Sequence, residues 1–294
     1  MNITGTTKIY GIIGWPVSHS ISPLFQATFI EEAAMNAVYL PFSVQPEQLK
    51  TALDGLMALG VEGFNVTVPH KEAVFDVLEC DSDAVAIGAV NSVRRDDRGW
   101  QASNTDWLGF RSVVEGLSLA LEGEDVLLFG AGGTARAVIH AMASLQVGRL
   151  FICNRNPQRR DLLLEHARKT YPNLLCLPLL WEEDAVMQTA KTAKLLVNST
   201  TIGLNPKQSF PFPLSGRGAA IDAVYSVDGQ TAFCQAAIAA GRVAVDGLPM
   251  LVAQGAASFA WWHDCDQPDC SKTLRAIEQQ LGREPIKLPG WFVS

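Results

Sequence analysis

Short apolar runs with strand character alternate with helical patterns through the first part of the chain. The runs predict strands at residues 8–14, 37–44 and 62–67, and helices that begin at Pro23 and Pro46. This β-α-β-α-β alternation predicts a mostly parallel sheet with helices on both faces. Because ligands bind outside the carboxyl ends of the strands in such sheets, polar residues at those ends are candidate site residues.

The alternation continues in the rest of the chain. Further strands are predicted at residues 125–129, 149–153, 174–177, 193–198, 219–224 and 243–245. Further helices are predicted at residues 107–119, 157–171, 182–192, 230–240, 250–263 and 271–281. Residues 202–217 are rich in Pro, Gly and polar residues, so a loop over the sheet edge is predicted there. The last two helices are expected to pack on the first part of the chain.

Composition narrows the class of protein. The chain has 294 residues, of which 48% are hydrophobic, enough for substantial cores in about two domains. A formal net charge of −7 argues against general attraction to nucleic acid or anionic membranes. No segment approaches about 20 uninterrupted apolar residues. The six cysteines are scattered, as in proteins with reduced thiols. A cytoplasmic protein is therefore expected.

A cysteine-containing segment near the end of the chain carries side chains of the types that bind metals. Cys265 and Cys270 lie close to His263 and Asp264. Their spacing is not that of a zinc knuckle, and no second pair of ligands follows. We therefore predict no metal.

The strand predicted at residues 125–129 leads into a glycine turn and then a helix. In a dinucleotide-binding unit the first glycine makes the turn, the second lets the backbone approach a pyrophosphate, and a small third residue lets the helix meet the strand. Gly130, Gly132 and Ala135 fit these places. The expected cofactor loop comprises Gly130, Ala131, Gly132, Gly133, Thr134 and Ala135. The alternative is a glycine turn that only packs.

The turn after the next predicted strand distinguishes two dinucleotides. An NAD site carries an acidic residue there, which holds the ribose hydroxyls. This chain has Asn154, Arg155, Asn156 and Arg159 instead. Guanidinium groups bind a phosphate dianion through charge and paired donors, so the sequence predicts NADP. The alternative is a solvated turn of arginines.

Polar clusters in the first part of the chain supply candidate substrate ligands. Ser20 and Ser22 are two residues apart, so in extended backbone their hydroxyls point the same way and can hold a carboxylate. Taken alone, Ser22 is better explained as a helix cap, because a proline follows it. Asn91 lies in a segment whose neighbours look buried. Asp106 precedes a helix and, taken alone, is also predicted to be a cap.

Together these segments resemble the shikimate dehydrogenase family over essentially the whole chain. The matching blocks, in the family's order, are residues 19–23, 65–71, 88–91, 104–106, the Gly130 loop, the turn at 154–155, residues 198–200 and residues 247–254. The resemblance implies an N-terminal, mostly parallel α/β/α substrate domain at 1–105, completed by C-terminal helices at 247–294. It also implies a Rossmann-type NADP-binding domain at 106–246, with a cleft between the two.

The activity implied by the resemblance is the reversible reduction of 3-dehydroshikimate to shikimate with NADP, in aromatic amino acid biosynthesis. Lys71 and Asp106 would be the catalytic pair, because a proton must join or leave the oxygen at which hydride transfer occurs. Which of the two transfers the proton stays open. The implied substrate ligands are Ser20, Ser22, Thr67, Asn91, Tyr225 and Gln254. Ser199, Thr200 and Gly247 are added to the cofactor set.

Departures from the family pattern keep alternatives open. They lie at Ile21, Gln26, Asn156 and the segment after Tyr225. One alternative is a paralogue that uses quinate or aminoshikimate with NAD or NADP, and another is a non-catalytic binding protein on the same fold. Gln254 could also be a surface residue of its helix. The expected partner is a small-molecule substrate, without nucleic acid or membrane, and the protein is expected to be a monomer or homodimer.

Overall fold

The chain forms two compact α/β units. The computed structural model describes residues 3–205, 208–227, 229 and 231–291. The first unit comprises Met1–Gly109 and Leu251–Thr273, and the second comprises Phe110–Met250 and Leu274–Ser294. Within the described ranges, no helix is long and apolar enough to cross a membrane.

The elements follow the predicted alternation except in residues 71–103, where the sequence predicted neither strands nor helices. The strands are β1 (Lys8–Gly14), β2 (Ala37–Ser43), β3 (Val61–Val66), β4 (Glu79–Cys80), β5 (Ser92–Asp96), β6 (Gly99–Ser103), β7 (Asp125–Phe129), β8 (Arg149–Cys153), β9 (Leu175–Leu179), β10 (Leu195–Asn198), β11 (Ala219–Asp222) and β12 (Val243–Val245). The helices are α1 (Ser22–Glu32), α2 (Leu49–Ala58), α3 (Lys71–Phe75), α4 (Ser82–Ile87), α5 (Asp106–Gly116), α6 (Gly133–Ser144), α7 (Pro157–Thr170), α8 (Glu183–Thr192), α9 (Ala232–Ala239), α10 (Leu248–His263) and α11 (Cys270–Leu281).

The first unit contains a six-stranded sheet with the order β2-β1-β3-β5-β6-β4. As predicted, β1 pairs in parallel with β2 and with β3. The sequence did not predict the antiparallel hairpin of β5 and β6, which pairs with β3 through β5. β5 carries two arginines and an aspartate in five residues, so it lacks the apolar alternation that marks a strand. This hairpin brings residues 91 and 103 together, since the Asn91 amide donates to the Ser103 carbonyl at 3.1 Å.

Helices α1 and α10 pack through aromatic side chains in the first unit. The rings of Phe25 and Phe29 lie 5.8 Å apart, and those of Phe29 and Phe259 lie 5.7 Å apart. Trp262, at the end of α10, stacks on Tyr10 of β1 with ring centroids 5.4 Å apart. Gly63 makes room for this indole, because a Cβ at that position would lie 3.2 Å from Trp262. The helix α10 is therefore part of the core of the first unit.

The second unit contains a six-stranded sheet in which all paired strands are parallel. Its order, β9-β8-β7-β10-β11-β12, is that of a Rossmann-type dinucleotide-binding fold, so this prediction is confirmed. The strand order reverses between β7 and β10, where such folds bind their ligands. The Gly130 loop follows β7 and residues 199–200 follow β10, so both segments lie at this position.

The predicted loop at 202–217 contributes to the core of the second unit through its described residues. Phe210 and Phe212 are buried, and the ring of Phe210 lies 5.2 Å from that of Phe129 and 4.9 Å from that of Phe233. Composition alone suggested a surface segment over the sheet edge. The alternation of aromatic and proline residues from 210 to 213 is what anchors it. Pro206 and Lys207 lie outside the described residues.

The C-terminal segment differs from the prediction that all of residues 247–294 complete the first domain. Residues 251–273 belong to the first unit, but residues 274–294 belong to the second. The buried Arg283 forms an ion pair with Asp246 at 3.0 Å, and the Trp291 indole donates to the Ser112 carbonyl at 2.9 Å. Both partners belong to the second unit. The sequence predicted the helix α11 but not the surface against which it packs.

We predict that Phe129→Ala lowers the free energy of unfolding by about 3 to 5 kcal/mol, because it opens a cavity among four aromatic rings. Leu162→Ala, at a side chain that is 63% exposed, is the control and should change it by less than about 0.5 kcal/mol. Urea unfolding measures both. Equal losses in the two variants would contradict the burial of Phe129.

Candidate active site

Lys71 and Asp106 form a short ion pair in the first unit. Lys71 is the first residue of α3, shortly after β3, and Asp106 is the first residue of α5, shortly after β6. The Lys71 Nζ donates to Asp106 Oδ2, and the two side chains are only 15% and 6% exposed. The two predicted catalytic residues are thus in direct contact, although 35 positions separate them in the sequence.

The interpretation of Asp106 as a helix cap is wrong. Its carboxylate is occupied by residues from elsewhere in the chain, since Oδ1 accepts from Asn91 Nδ2 at 2.7 Å while Oδ2 accepts from Lys71. The Asp106 backbone amide donates to Asn104 Oδ1 at 3.0 Å. The preference of Asp for the start of a helix correctly predicted that Asp106 lies at the beginning of α5. It did not reveal Asn91 and Lys71 as the partners of the carboxylate.

Asn91 is the centre of a buried cluster of polar groups. Its Nδ2 lies within hydrogen-bond distance of Asp106 Oδ1, of Thr105 Oγ1 at 3.1 Å and of Gln254 Oε1 at 3.0 Å. Its Oδ1 accepts from the Thr105 amide at 2.7 Å. Gln254 is only 7% exposed, so its interpretation as a surface residue of α10 is wrong. The structure therefore brings Lys71, Asn91, Asp106 and Gln254 into one cluster.

Ser20 and Ser22 lie beyond the carboxyl end of β1. The Ser22 amide donates to Ser20 Oγ at 3.2 Å, and the buried Ser22 side chain lies near the Tyr39 hydroxyl. Ser22 is the first residue of α1, whereas Ile21 occupies the cap position without a side-chain cap. The interpretation of Ser22 as a cap is therefore wrong. Thr67 follows β3, and its amide donates to the Ile13 carbonyl at 3.0 Å.

Several buried polar residues beside this cluster were not predicted as site residues. Tyr39 Oη donates to Asn65 Oδ1 at 2.8 Å, and Asn65 Nδ2 donates to Ser258 Oγ at 2.9 Å. Burial raises the pKa of Tyr39 well above its usual value, so its hydroxyl stays protonated. An asparagine within the apolar strand β3 was the available signal, since a buried amide requires partners.

The glycine turn of the second unit has the geometry that its sequence predicts. Gly130 has a φ of 118°, and a Cβ there would collide with Ser199, whose Oγ donates to the Phe129 carbonyl at 2.7 Å. Gly132 occupies the cap position of α6, and no described atom lies within 4 Å of where its Cβ would be. Ala135 is fully buried. Gly133 and Thr134 open the helix, and Ala131 precedes them.

The turn after β8 carries two exposed arginines. Asn156 caps α7 by accepting from the Arg159 amide at 3.0 Å, and Asn154 Nδ2 donates to the Asn156 carbonyl at 2.8 Å. Arg155 and Arg159 are exposed, and neither guanidinium has an ion-pair partner among the residues that the structure describes. Arg160 differs, because it pairs with Asp161. Two guanidinium groups are therefore available for an anionic ligand, as an NADP site requires.

The remaining predicted residues lie in the second unit. Asn198 Oδ1 accepts from the amide of Thr200 at 3.1 Å and from its hydroxyl at 2.7 Å. The Gly247 amide donates to the Val224 carbonyl at 2.9 Å, and a Cβ on Gly247 would collide with the Ala223 carbonyl. Tyr225 follows Val224 and is half-buried. It is the one predicted substrate ligand that the second unit carries.

Sequence comparisons identify both halves of the chain. Residues 12–93 match the shikimate dehydrogenase substrate binding domain, and residues 113–209 match the family described as shikimate / quinate 5-dehydrogenase. The shikimate dehydrogenase (NADP(+)) of Thermosynechococcus vestitus is 38% identical over 291 residues, which cover 96% of this chain and 99% of the relative. The chain belongs to the shikimate dehydrogenase family.

Solved structures of the family have the same fold. The shikimate dehydrogenase of Aquifex aeolicus is 34% identical with a TM-score of 0.83, over 94% of this chain and 99% of that one. The Thermus thermophilus shikimate 5-dehydrogenase, solved in complex with NADP(H) and shikimate, is 33% identical with a TM-score of 0.80, over 92% and 99%. The predicted family and fold class are therefore confirmed. Groups of three or more metal-ligating side chains are absent from the described residues.

One buried acid of this family member was not predicted from the sequence. Asp222, at the end of β11, is fully buried and accepts from Asn198 Nδ2 at 2.8 Å, from the Val224 amide at 3.0 Å and from Thr231 Oγ1 at 2.6 Å. It thus joins the segment that carries Thr200 to the one that leads into Tyr225. Burial raises the pKa of Asp222 to about 7, although these hydrogen bonds oppose the shift.

We predict that Asp222 makes the shikimate dehydrogenase fold less stable as the pH rises. The unfolded carboxyl has a pKa of 3.8 and the folded one of about 7, so between these values the folded state binds more protons. The free energy of unfolding then falls with rising pH, by up to about 4 kcal/mol across this range. Asp222→Asn removes this titration but keeps a polar side chain.

The measurement is urea unfolding of the wild type and Asp222→Asn between pH 4 and pH 8. The wild type should lose stability relative to the variant as the pH rises. Burial also raises the pKa of Asp246, but this residue is present in both proteins and cancels in the difference. Parallel profiles would show that Asp222 does not titrate in this window.

Proposed function

We propose that the protein is an NADP-dependent oxidoreductase that reversibly reduces 3-dehydroshikimate to shikimate. The observation that carries the proposal is the buried Lys71–Asp106 pair, held by Asn91 beside the strand ends of the first unit. The relatives named shikimate dehydrogenase (NADP(+)) support the substrate and the cofactor. The reaction belongs to the shikimate pathway of aromatic amino acid biosynthesis.

Lys71 and Asp106 handle the proton of the reaction. NADPH, when bound, supplies a hydride to the substrate carbonyl. The Lys71 ammonium group has three hydrogen-bond donors and uses one of them to bind Asp106. The other donors can bind the substrate oxygen and stabilise its developing negative charge. Asp106 keeps the ammonium group in place, while Asn91 holds the second carboxylate oxygen. In the reverse direction the same pair accepts the proton of the hydroxyl.

The remaining polar residues of the first unit fit a polyhydroxylated ring acid. Ser20 and Ser22 would bind its carboxylate, and Thr67, Asn91 and Gln254 would meet its hydroxyls. An analogue that lacks one hydroxyl leaves a buried polar group unpaired and is therefore bound poorly. Tyr225, which belongs to the second unit, stays a predicted substrate ligand on the strength of the family resemblance.

The second unit would bind NADP through its glycine turn and arginines. The Cβ side of Gly132 is open, and the N-terminus of α6 favours an anion such as the pyrophosphate. Arg155 and Arg159 would bind the 2′-phosphate, with Asn154 and Asn156 shaping the turn. Ser199, Thr200 and Gly247 would lie near the nicotinamide. The first unit would then be the substrate domain and the second the cofactor domain.

The cellular location and the oligomeric state stay predictions. The scattered cysteines favour the cytoplasm, and the protein is expected to be a monomer or homodimer.

A spectrophotometric assay of the pure protein tests the activity. We expect reduction of NADP with shikimate. The rate should be much lower when quinate replaces shikimate or when NAD replaces NADP. Absence of turnover with every combination would exclude the enzyme. A preference for quinate would instead indicate the paralogue.

Lys71→Ala should lower kcat by about 100-fold to 10,000-fold, because it removes one member of the pair that handles the proton. Lys50→Ala, at an exposed lysine of α2, is the matched control and should leave kcat unchanged. Circular dichroism checks that both variants are folded. An active Lys71→Ala enzyme would refute the assigned role.

Arg155→Ala and Arg159→Ala should each raise the KM for NADP by about tenfold and leave the KM for NAD unchanged, since each loses a charge-assisted contact with the phosphate. Lys169→Ala removes an exposed cation from the other end of α7 and serves as the control. If all three variants weaken NADP binding equally, general electrostatics rather than a specific phosphate site would explain the effect.

A further inference from the structure

A continuous path of hydrogen bonds runs from Tyr39, which lies near Ser22, to Asp106 inside the first unit. We name its members, Tyr39, Asn65, Ser258, Thr105 and Asn91, the buried polar chain. All five are less than 9% exposed. They come from β2, β3, α10 and the two segments that flank the β5–β6 hairpin. The chain therefore crosses several elements that share no local sequence.

The path begins beside the serine that would bind the substrate carboxylate. The Ser22 side chain lies near the Tyr39 hydroxyl and opposes the rise of its pKa. Tyr39 Oη donates to Asn65 Oδ1 at 2.8 Å. Asn65 uses both amide protons, because Nδ2 donates to Ser258 Oγ at 2.9 Å and to the Asn91 carbonyl at 3.1 Å. Every hydrogen-bonding group of the Asn65 side chain thus has a partner.

The path ends at the catalytic carboxylate. Ser258 Oγ lies 2.9 Å from Thr105 Oγ1, which also lies 2.9 Å from the Gln254 carbonyl and 3.1 Å from Asn91 Nδ2. Asn91 Nδ2 in turn donates to Asp106 Oδ1 at 2.7 Å. Tyr39, which lies near Ser22, is therefore joined to Asp106 by side chains that cannot move singly without leaving a buried polar group unpaired.

Such a path fixes distances better than apolar packing alone. Hydrogen bonds are directional. When one side chain of a buried network is displaced, its former partners lose a hydrogen bond and are left desolvated, which is unfavourable. Displacements of about 1 Å at a reacting centre reduce rates strongly. A ring acid has a fixed separation between its carboxylate and the hydroxyl that reacts, so a site for it needs two anchor points at a fixed distance.

We propose that the buried polar chain sets the separation between Ser22 and Asp106, and that Tyr39 and Ser258 are positioning residues for the reaction. This inference rests on the proposed function, since it takes Ser22 as a carboxylate ligand and Asp106 as part of the catalytic pair. Tyr39 and Ser258 act through Ser22, Thr105 and Asn91.

Two substitutions break the chain at different places, and each has a matched control. Tyr39→Phe removes the hydroxyl that joins Asn65, and Ser258→Ala removes the hydroxyl that joins Asn65 to Thr105. Tyr10 is directly opposite Tyr39 in the β1–β2 register and stacks on Trp262, but its hydroxyl makes no hydrogen bond within the described residues. Tyr10→Phe is thus the control for Tyr39→Phe.

Ser92→Ala is the control for Ser258→Ala. Ser92 is a fully buried serine of the first unit, and its Oγ has no hydrogen-bond partner in the part of the chain that the structure describes. Both substitutions delete one buried hydroxyl from a serine. They differ in whether that hydroxyl belongs to the buried polar chain.

The experiment measures kcat and the KM for shikimate with saturating NADP for the wild type, the four single variants and the double variant Tyr39→Phe/Ser258→Ala. We expect each chain variant to raise KM and lower kcat, with a loss of about tenfold in kcat/KM. The two controls should stay within about twofold of the wild type. The double variant should lose less than the product of the single losses, because either substitution already interrupts the chain.

Each contrary result has a distinct meaning. Chain variants that match their controls would overturn the positioning role and leave the proposed function intact. A lower kcat with unchanged KM would show only a smaller folded fraction, since KM does not depend on the amount of active enzyme, and would also overturn it. A wild type that turns over no shikimate would overturn the proposed function and this inference with it.

Discussion

The structure of the first unit depends on the need to pair a buried carboxylate. Asp106 is nearly inaccessible to water, so its charge must be balanced and its oxygens must accept hydrogen bonds. Lys71 balances the charge and Asn91 occupies the other oxygen, and each comes from a different part of the chain. The β5–β6 hairpin is what brings residue 91 to the start of α5, because Ser92 pairs with Ser103. The parallel strand β3 places Lys71 at the same edge of the sheet.

Much of the fold could be predicted because apolar periodicity is a local property. The strands β1, β7, β8 and β12 have the predicted bounds, and the alternation of strands and helices correctly indicated the parallel sheet of the second unit. The hairpin could not be predicted in the same way. Its strand β5 is stabilised by pairing with β3 and β6, and its arginines conceal the apolar signal. The sequence also did not predict that α11 packs in the second unit, because an apolar helix face does not show which surface covers it.

In the candidate site, individual residues could be predicted from the sequence, but their partners in the fold could not. Gly130, Arg155 and Arg159 could be predicted as cofactor residues, because a short sequence segment is enough to indicate a glycine turn or a pair of arginines. Ser22 and Asp106 were also recognised, but local propensity favoured helix caps for both. Their partners, Tyr39 and Lys71, are remote in sequence, and tertiary contacts prevailed over the capping preference. Ser258 had no recognisable signal, because a single serine on an apolar helix looks like any other small core residue.

The ion pair between Arg283 and Asp246 has a consequence for the order in which the protein can fold during its synthesis. Asp246 is completely buried, and Arg283 supplies the opposite charge from the last part of the chain. The first unit likewise lacks the aromatic residues of α10 until residue 262 has been made. Neither core can therefore be completed while the ribosome is still translating the middle of the message. Domains usually fold in turn from the N-terminus as they emerge, whereas here both units must wait for almost the entire polypeptide.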